Sequence, residues 1–290
     1  ALEKSRPLLA ALYMCGVIVA FTIMAISGRQ INFQLDTFEI MTYRSFIGVM
    51  IVIVIGLYTK TLQNLRFKRM KLHFFRNLGH FAGQNLWFYA LMLIPFAQLF
   101  AFEFSVPIWV AIFAPLFLSE KLTKVRISSA VIGFLGILLV ARPGFEPLSI
   151  GILAAAGCAI MFAFTSITTK LLTRTENIID ILFWLTLMQL VFGLICSTYD
   201  GDIEIPTNET IPWLILIGFC GLLAHFSLTK ALSYAPATVV TPMDFVRLPI
   251  IAVIGMLFYN EPLSIFVIIG ALIIFIANYV NIRNETKNVS

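Results

Sequence analysis

Charge is what this chain has least of. Only 12% of its 290 residues are Asp, Glu, Lys or Arg, against 60% hydrophobic residues and a mean hydropathy of +0.94. So little charge cannot cover the surface of a water-soluble core, which excludes soluble folds and leaves an integral membrane protein. The chain also lacks the alternation of polar and apolar positions that marks barrel strands. Its apolar runs last roughly 17 to 25 residues, the length of a spanning helix. Helices and closed barrels alone satisfy the backbone in lipid, so the fold class is all-α.

Cysteine is scarce as well. Cys15, Cys158, Cys196 and Cys220 each stand alone in an apolar segment without C-x-x-C spacing. That excludes a metal cluster and a disulfide frame, and the four read as packing residues. There is no H-E-x-x-H, no G-x-x-x-x-G-K-[ST] and no grouping of cysteine with histidine. A membrane-embedded enzyme would need one of these, and neither a cofactor nor a metal is expected. A ring of like charges, the mark of a passive channel, is missing too. No small-residue cleavage motif follows Leu8 to Ser27, so that stretch reads as a first helix rather than a signal peptide.

What is present is a duplication. The stretch Pro95 to Leu122, PFAQLFAFEFSVPIWVAIFAPLFLSEKL, returns 141 positions later as Pro236 to Leu263, PATVVTPMDFVRLPIIAVIGMLFYNEPL. Pro95 falls on Pro236, Glu120 on Glu261, and Glu103 on Asp244. The same offset carries Gly16 and Phe21 to Gly157 and Phe162, Ser27 and Arg29 to Thr168 and Lys170, and Gln84 to His225. A fixed offset over this range marks a repeat.

Apolar runs against polar breaks give ten spans, at 8–27, 37–57, 74–94, 96–118, 125–141, 149–172, 178–198, 211–232, 237–258 and 264–282. They form two five-helix units, 8–141 and 149–282. Because five is odd, the second unit enters the membrane from the opposite side, the inverted-repeat plan of many secondary transporters. Pro95 and Pro236 mark tight turns between consecutive spans.

The net charge of +5 reports orientation rather than an affinity for nucleic acid. With a cytoplasmic N-terminus, Lys4, Arg6, Lys60, Arg66, Lys68, Arg69, Lys71, Arg76, Lys121, Lys124, Arg126, Lys170, Arg174, Lys230, Arg283 and Lys287 all face inward. Only Arg29 and Arg142 face outward, and the outer loop 199–211 carries Asp200, Asp202, Glu204 and Glu209. That bias is expected when the spans are assigned correctly in a multi-pass inner-membrane protein with both termini inside.

Arg44 and Arg247 are the basic residues left unassigned to loops, and with Glu103 and Asp244 they form a small set of charges buried within the spans. An ionisable group in the membrane costs about 2.5 to 3.5 kcal/mol or more unless paired or hydrated, so each is a functional candidate. Asp244 and Arg247, three residues apart, share a helix face; they form either a structural ion pair or part of a site. In the functional reading the carboxylates hold a substrate amine or exchange protons, and an arginine faces a substrate carboxylate. Gln84 and Asn85 join this substrate-facing set, and His80 and His225 join the carboxylates as proton-relay candidates. Tyr43, Trp87, Tyr89, Trp109 and Trp184 either wall a cavity or form the interfacial belt, the belt being expected for most of them, with Trp109 also placed by the substrate. Gly79 with Gly83, and Gly133 with Gly136, offer faces for close helix approach. Pro107, Pro115, Pro242 and Pro249 interrupt the fourth and ninth spans, and Pro107 and Pro249 read as hinges beside the carboxylates.

The segments YALMLIPFAQ, FAPLFLSEKLT and VIGFLGILLVARPG, then KALSYAPATVVTP and GMLFYNEPLS, together with Arg44 in TYRSF, resemble the EamA-type family of the drug/metabolite transporter superfamily. The resemblance covers nearly the whole chain. It implies ten helices and a role for Glu120 and Glu261 at helix ends. It also implies a substrate among amino acids, amines, nucleotide-like metabolites such as S-adenosylmethionine, vitamins or drugs. Combined with the buried charges, the expectation is an alternating-access carrier, monomeric or homodimeric, of an amino acid, amine or related zwitterion or cation. Protons are the candidate coupling ion. S-adenosylmethionine, a vitamin or a drug-like compound is the alternative cargo.

Overall fold

A computed structural model describes all residues except 1–5, 32–33, 95, 120–122, 142–148, 200, 202, 260–264 and 288–290. Pro95, Glu120, Glu261, Arg142, Asp200, Asp202, Lys4 and Lys121 therefore lie outside the described residues. The first half runs through α1 (Pro7–Ile31), α2 (Thr37–Tyr58), α3 (Met70–Leu93), α4 (Phe96–Glu103), α5 (Val106–Leu118) and α6 (Lys124–Ala141). The second runs through α7 (Ile150–Thr173), α8 (Ile178–Ser197), α9 (Ile211–Tyr234), α10 (Ala237–Met243), α11 (Arg247–Tyr259) and α12 (Ile265–Lys287).

Sequence chemistry sets the ends. Asp36 caps α2 by accepting from the Glu39 amide at 2.7 Å while Glu39 returns a bond to the Asp36 amide at 2.9 Å, a reciprocal capping box. Ala235 and Pro236 make a two-residue turn between α9 and α10. Helix α3 starts at Met70 rather than 74, and α12 continues to Lys287 rather than stopping at 282.

The larger correction concerns the fourth span, expected at 96–118, which is interrupted; the ninth, expected at 237–258, runs as one helical span from Ala237 to Phe258 with a change of helix type inside it. The first breaks at Phe104 and Ser105, and the second passes through a 3-10 turn at Asp244–Val246. Hydropathy cannot see either feature because the run stays apolar across it. At the first, the Ser105 hydroxyl donates to the Phe102 carbonyl at 2.6 Å, and Pro107 follows as the second residue of α5. Pro249 is likewise the third residue of α11. In a first turn a missing N–H leaves no intrahelical bond unmade, so Pro107 opens a half-helix, whereas Pro249 lies where the 3-10 turn passes into α11. The break and the 3-10 turn meet at the centre: Phe104 and Phe245, related by the 141 offset, pack edge to face with centroids 6.1 Å apart.

Packing follows the repeat. Helix α1 lies on α9, and its equivalent α7 lies on α3, so the two pairs exchange under the pseudo-twofold; α2 with α8 and α6 with α12 straddle the axis. The expected glycine faces are where helices close up. A Cβ on Gly79 would come within 2.7 Å of Phe164, and one on Gly83 within 2.9 Å of Met161 and Phe162. Cys158 and Cys220 are buried as packing residues, whereas Cys15 is exposed. Leu57, Leu116, Leu257 and Phe258 are among the apolar side chains left on the outside, as a protein solvated by lipid requires.

Candidate functional site

Three of the four predicted buried charges come together at the break and the 3-10 turn. Arg247, the first residue of α11 and 1% exposed, reaches across to both carboxylates through one nitrogen. Its Nη2 donates to Glu103 Oε1 and, at 2.7 Å, to Asp244 Oδ2. Phe21, Phe100 and Phe104 surround the guanidinium, their ring centroids 5.0 to 5.4 Å from Cζ, a cation–π setting that keeps it out of water.

The two carboxylates are not equivalent. Glu103 is saturated, because its Oε2 accepts from the Trp87 indole N–H at 2.6 Å. Asp244 keeps Oδ1 buried and unpartnered. A buried carboxylate oxygen without a donor costs on the order of 1–3 kcal/mol, and more when charged, so it is poised to accept one.

Both carboxylates and Arg247 line a cavity of about 730 Å³, its mouth included. The wall is built of symmetry mates. Phe21 and Phe162, Met24 and Thr165, Gln84 and His225, Trp87 and Leu228, Glu103 and Asp244, and Val106 and Arg247 all contribute. The cavity therefore sits on the pseudo-twofold between the halves. Where the mates differ in chemistry, it becomes one-sided.

Gln84 and both histidines also reach it. His80 and His225 meet ring to ring at 4.4 Å and 89°. Neither nitrogen of His225 has a partner, nor does Nε2 of His80. Phe162 stacks on His80 at 6.1 Å, and its mate Phe21 sits edge-on to His225 at 6.0 Å.

Three predicted members lie elsewhere. Asn85 donates to the Phe81 carbonyl one turn back in α3 at 2.8 Å. Trp109 supports the break in the fourth span, donating to Ser105 Oγ at 3.2 Å and stacking on Phe113. Arg44 points into a separate, smaller cavity between α2, α8 and α9.

Two residues lie deeper than a belt or loop position requires. Trp87, one of the aromatics expected as cavity wall or interfacial belt, is 1% exposed, lines the central cavity and anchors Glu103. Arg76, expected on the inner face, is also 1% exposed; it donates to Thr169 Oγ1 at 3.0 Å and Asn77 Oδ1 at 2.7 Å. Among the described residues no cluster of three or more His, Cys, Asp or Glu side chains could hold a metal ion.

Two repeated helical halves that bring ionisable groups to a shared central cavity have the plan of many membrane transporters. The chain belongs to the EamA-like transporter family, whose family model matches it twice, over residues 8–142 and 149–283. It is 28% identical over 266 residues to an S-adenosylmethionine uptake transporter of Rickettsia felis, covering 91% of this chain and 89% of that one. It is 32% identical over 226 residues to a riboflavin transporter of Brucella anthropi, covering 77% and 80%. A solved crystal structure shares the fold with a TM-score of 0.79 over 97% of this chain and 99% of that one, at 16% identity. The protein is a multi-pass membrane transporter of small metabolites, not an enzyme.

Proposed function

We propose that this transporter takes up a metabolite that joins a cationic amino-acid portion to an aromatic ring, with S-adenosylmethionine the best match. The observation that carries this reading is the charge sum of the central cavity. Glu103 and Asp244 oppose a single Arg247, whose Nη2 is shared between them, and Asp244 Oδ1 stands without a donor. A wall with one net negative charge favours cargo with one net positive charge. S-adenosylmethionine has that balance, its ammonium and sulfonium exceeding its carboxylate by one. Phe21 and Phe162 offer faces for the purine. A simple amine or a cationic amino acid such as lysine would meet the charge requirement and leave the aromatic walls unused, and a zwitterionic amino acid would satisfy neither the charge nor the walls. Riboflavin is the second reading: the relative from Brucella anthropi favours it, as do the aromatic walls, but its neutral ring system gives Asp244 no counter-charge.

In this reading the halves 8–141 and 149–282 rock against each other, flexing at the break and the turn beside Pro107 and Pro249. A proton takes the substrate's place on Asp244 when the cavity is empty, with His80 and His225 as its relay. The distribution of Lys and Arg supports an inner-membrane location with both termini cytoplasmic.

The test is counterflow into proteoliposomes with S-adenosylmethionine, riboflavin, methionine and lysine. Saturable counterflow of S-adenosylmethionine, lost in Asp244→Asn, supports the reading. Counterflow of riboflavin alone, or an Asp244→Asn variant that works normally, overturns it.

A further inference from the structure

Arg44 and Arg76 are buried cations that the proposed function does not use, and of the two Arg76 has oxygen partners in Thr169 and Asn77. Arg44 is 7% exposed, yet its hydrogen bonding is limited to Met41 Sδ at 3.5 Å, a weak acceptor. No described carboxylate lies within ion-pairing distance of it. An uncompensated charge in such a place is strongly destabilising, so the site is built for a counter-charge.

The cavity it faces is small and partly open, about 280 Å³ with its mouth included, and is also lined by Ser45, Thr186, Gln189, Gly221 and His225. Its donors outnumber its acceptors. The guanidinium, the Ser45 hydroxyl, which makes no hydrogen bond, and the unpartnered ring of His225, with one N–H to give, all border it, and no described carboxylate does. Arg76 adds a second positive charge within electrostatic reach of the same histidine. The unpartnered Oε1 of Gln189, which the water of a hydrated anion satisfies, is an acceptor on this wall, as are the hydroxyl oxygens and the bare nitrogen of His225. The approach is shaped by Gly221, where a Cβ would fall 2.7 Å from Arg44 Nε.

From this geometry we infer that the smaller cavity is an anion site, with Arg44 as its ligand and room for a halide ion or a single carboxylate group. Like the central cavity it straddles the pseudo-twofold, since Arg44, Ser45 and Gly48 face their own mates Leu185, Thr186 and Gln189. The anion comes either free from solution or as the carboxylate of the substrate. His225, which borders both cavities, stands at the junction. The second source rests on the substrate proposed above; the first does not.

The experiment measures the melting temperature of the purified full chain in halide-free sulfate buffer at constant ionic strength. Chloride, bromide or acetate is added, with no transport substrate present. A saturable rise in wild type that disappears in Arg44→Gln and Gly221→Ala, and is partly kept in Arg44→Lys, establishes a free-anion site. If these anions do nothing, S-adenosylmethionine is compared with its methyl ester. A tenfold or greater loss of affinity for the ester in wild type, absent in Arg44→Gln, assigns the site to the substrate's carboxylate. The inference is overturned if the anion-induced rise persists in a cooperatively folded Arg44→Gln. It is equally overturned if neither the anions nor the ester comparison gives an Arg44-dependent effect, including the case in which S-adenosylmethionine does not bind at all.

Discussion

Arg29 and Lys170, 141 positions apart, do the same thing in the two halves. Arg29 Nη2 donates to the Ile94 carbonyl at 3.5 Å; Lys170 Nζ donates to the carbonyl of Ala235, the mate of Ile94, at 2.8 Å, and to that of Leu232 at 2.5 Å. Each cation closes the carbonyl end of the helix before the fourth or ninth span, where the helix dipole is negative. In an inverted pair the two closures lie at opposite faces of the membrane. Replacing Lys170 by Gln should cost about 1.5–3 kcal/mol, the range for hydrogen bonds to a charged group. Arg29→Gln removes the longer 3.5 Å bond together with the cation–π contact on Phe96 at 3.8 Å, and should cost less in so far as the short carbonyl bonds of Lys170 dominate. Thermal melts in one detergent check the order, and a larger loss for Arg29→Gln would contradict it.

That pairing shows which kind of information the sequence carries. The offset that aligns Arg29 with Lys170 and Glu103 with Asp244 is written in residue identities, so the duplication, the span count and the central acidic pair were legible. Meetings between helices were not. Trp87 and Glu103 are sixteen positions apart on different helices, and nothing local distinguishes an indole bound for a buried carboxylate from one bound for the lipid interface. Arg44 was legible as buried but not in its direction, because a helix with apolar residues all round does not reveal which neighbour each face will meet. Arg76 misled because a charge near a span's end fits both a loop and a buried second turn. The break had a local signal in Ser105 and Pro107 that hydropathy ignores.

Asp244 and Glu103 should respond differently to neutralisation. Glu103→Gln weakens a buried ion pair and alters the partner of Trp87, so stability should fall, with about 3–5 kcal/mol as the scale for breaking such a pair. Asp244→Asn still leaves Arg247 paired with Glu103, so the protein should remain close to wild type in stability. Its affinity for a cationic substrate should nonetheless fall at least tenfold, about 1.4 kcal/mol. Melting curves alongside binding isotherms make the distinction. Equal losses of stability would mean that Asp244 is as structural as Glu103.

Trp87→Phe isolates the indole N–H. The ring that packs edge to face on Phe88 at 5.2 Å is largely kept, while the 2.6 Å bond to Glu103 Oε2 is lost. The expected cost is about 1–3 kcal/mol, with transport reduced because Glu103 and, through it, Arg247 lose their fixed positions. Tyr89→Phe, on an exposed side chain in the same helix, should change neither quantity measurably. If Trp87→Phe melts and transports like wild type, the bond does not position the site.

Gly133→Ala tests whether the 3-10 turn at Asp244–Val246 must stay where it is. A Cβ on Gly133 would stand 2.3 Å from Cε2 and 2.4 Å from Cδ2 of Phe245. That ring is fully buried and sits on the 3-10 turn between Asp244 and Arg247. It cannot swing far, because its other contact is the edge-to-face packing with Phe104. The added methyl group must therefore move the turn itself and shift Asp244 against Arg247. Overpacking of this kind costs about 1–3 kcal/mol in stability. Transport should fall further than the stability loss predicts, since the displaced residues line the cavity. A compensating Phe245→Leu makes room for the methyl group and should restore both. If Gly133→Ala slows transport and the double variant does not recover, the glycine acts through the packing of α6 on α12 rather than through the turn that holds the site.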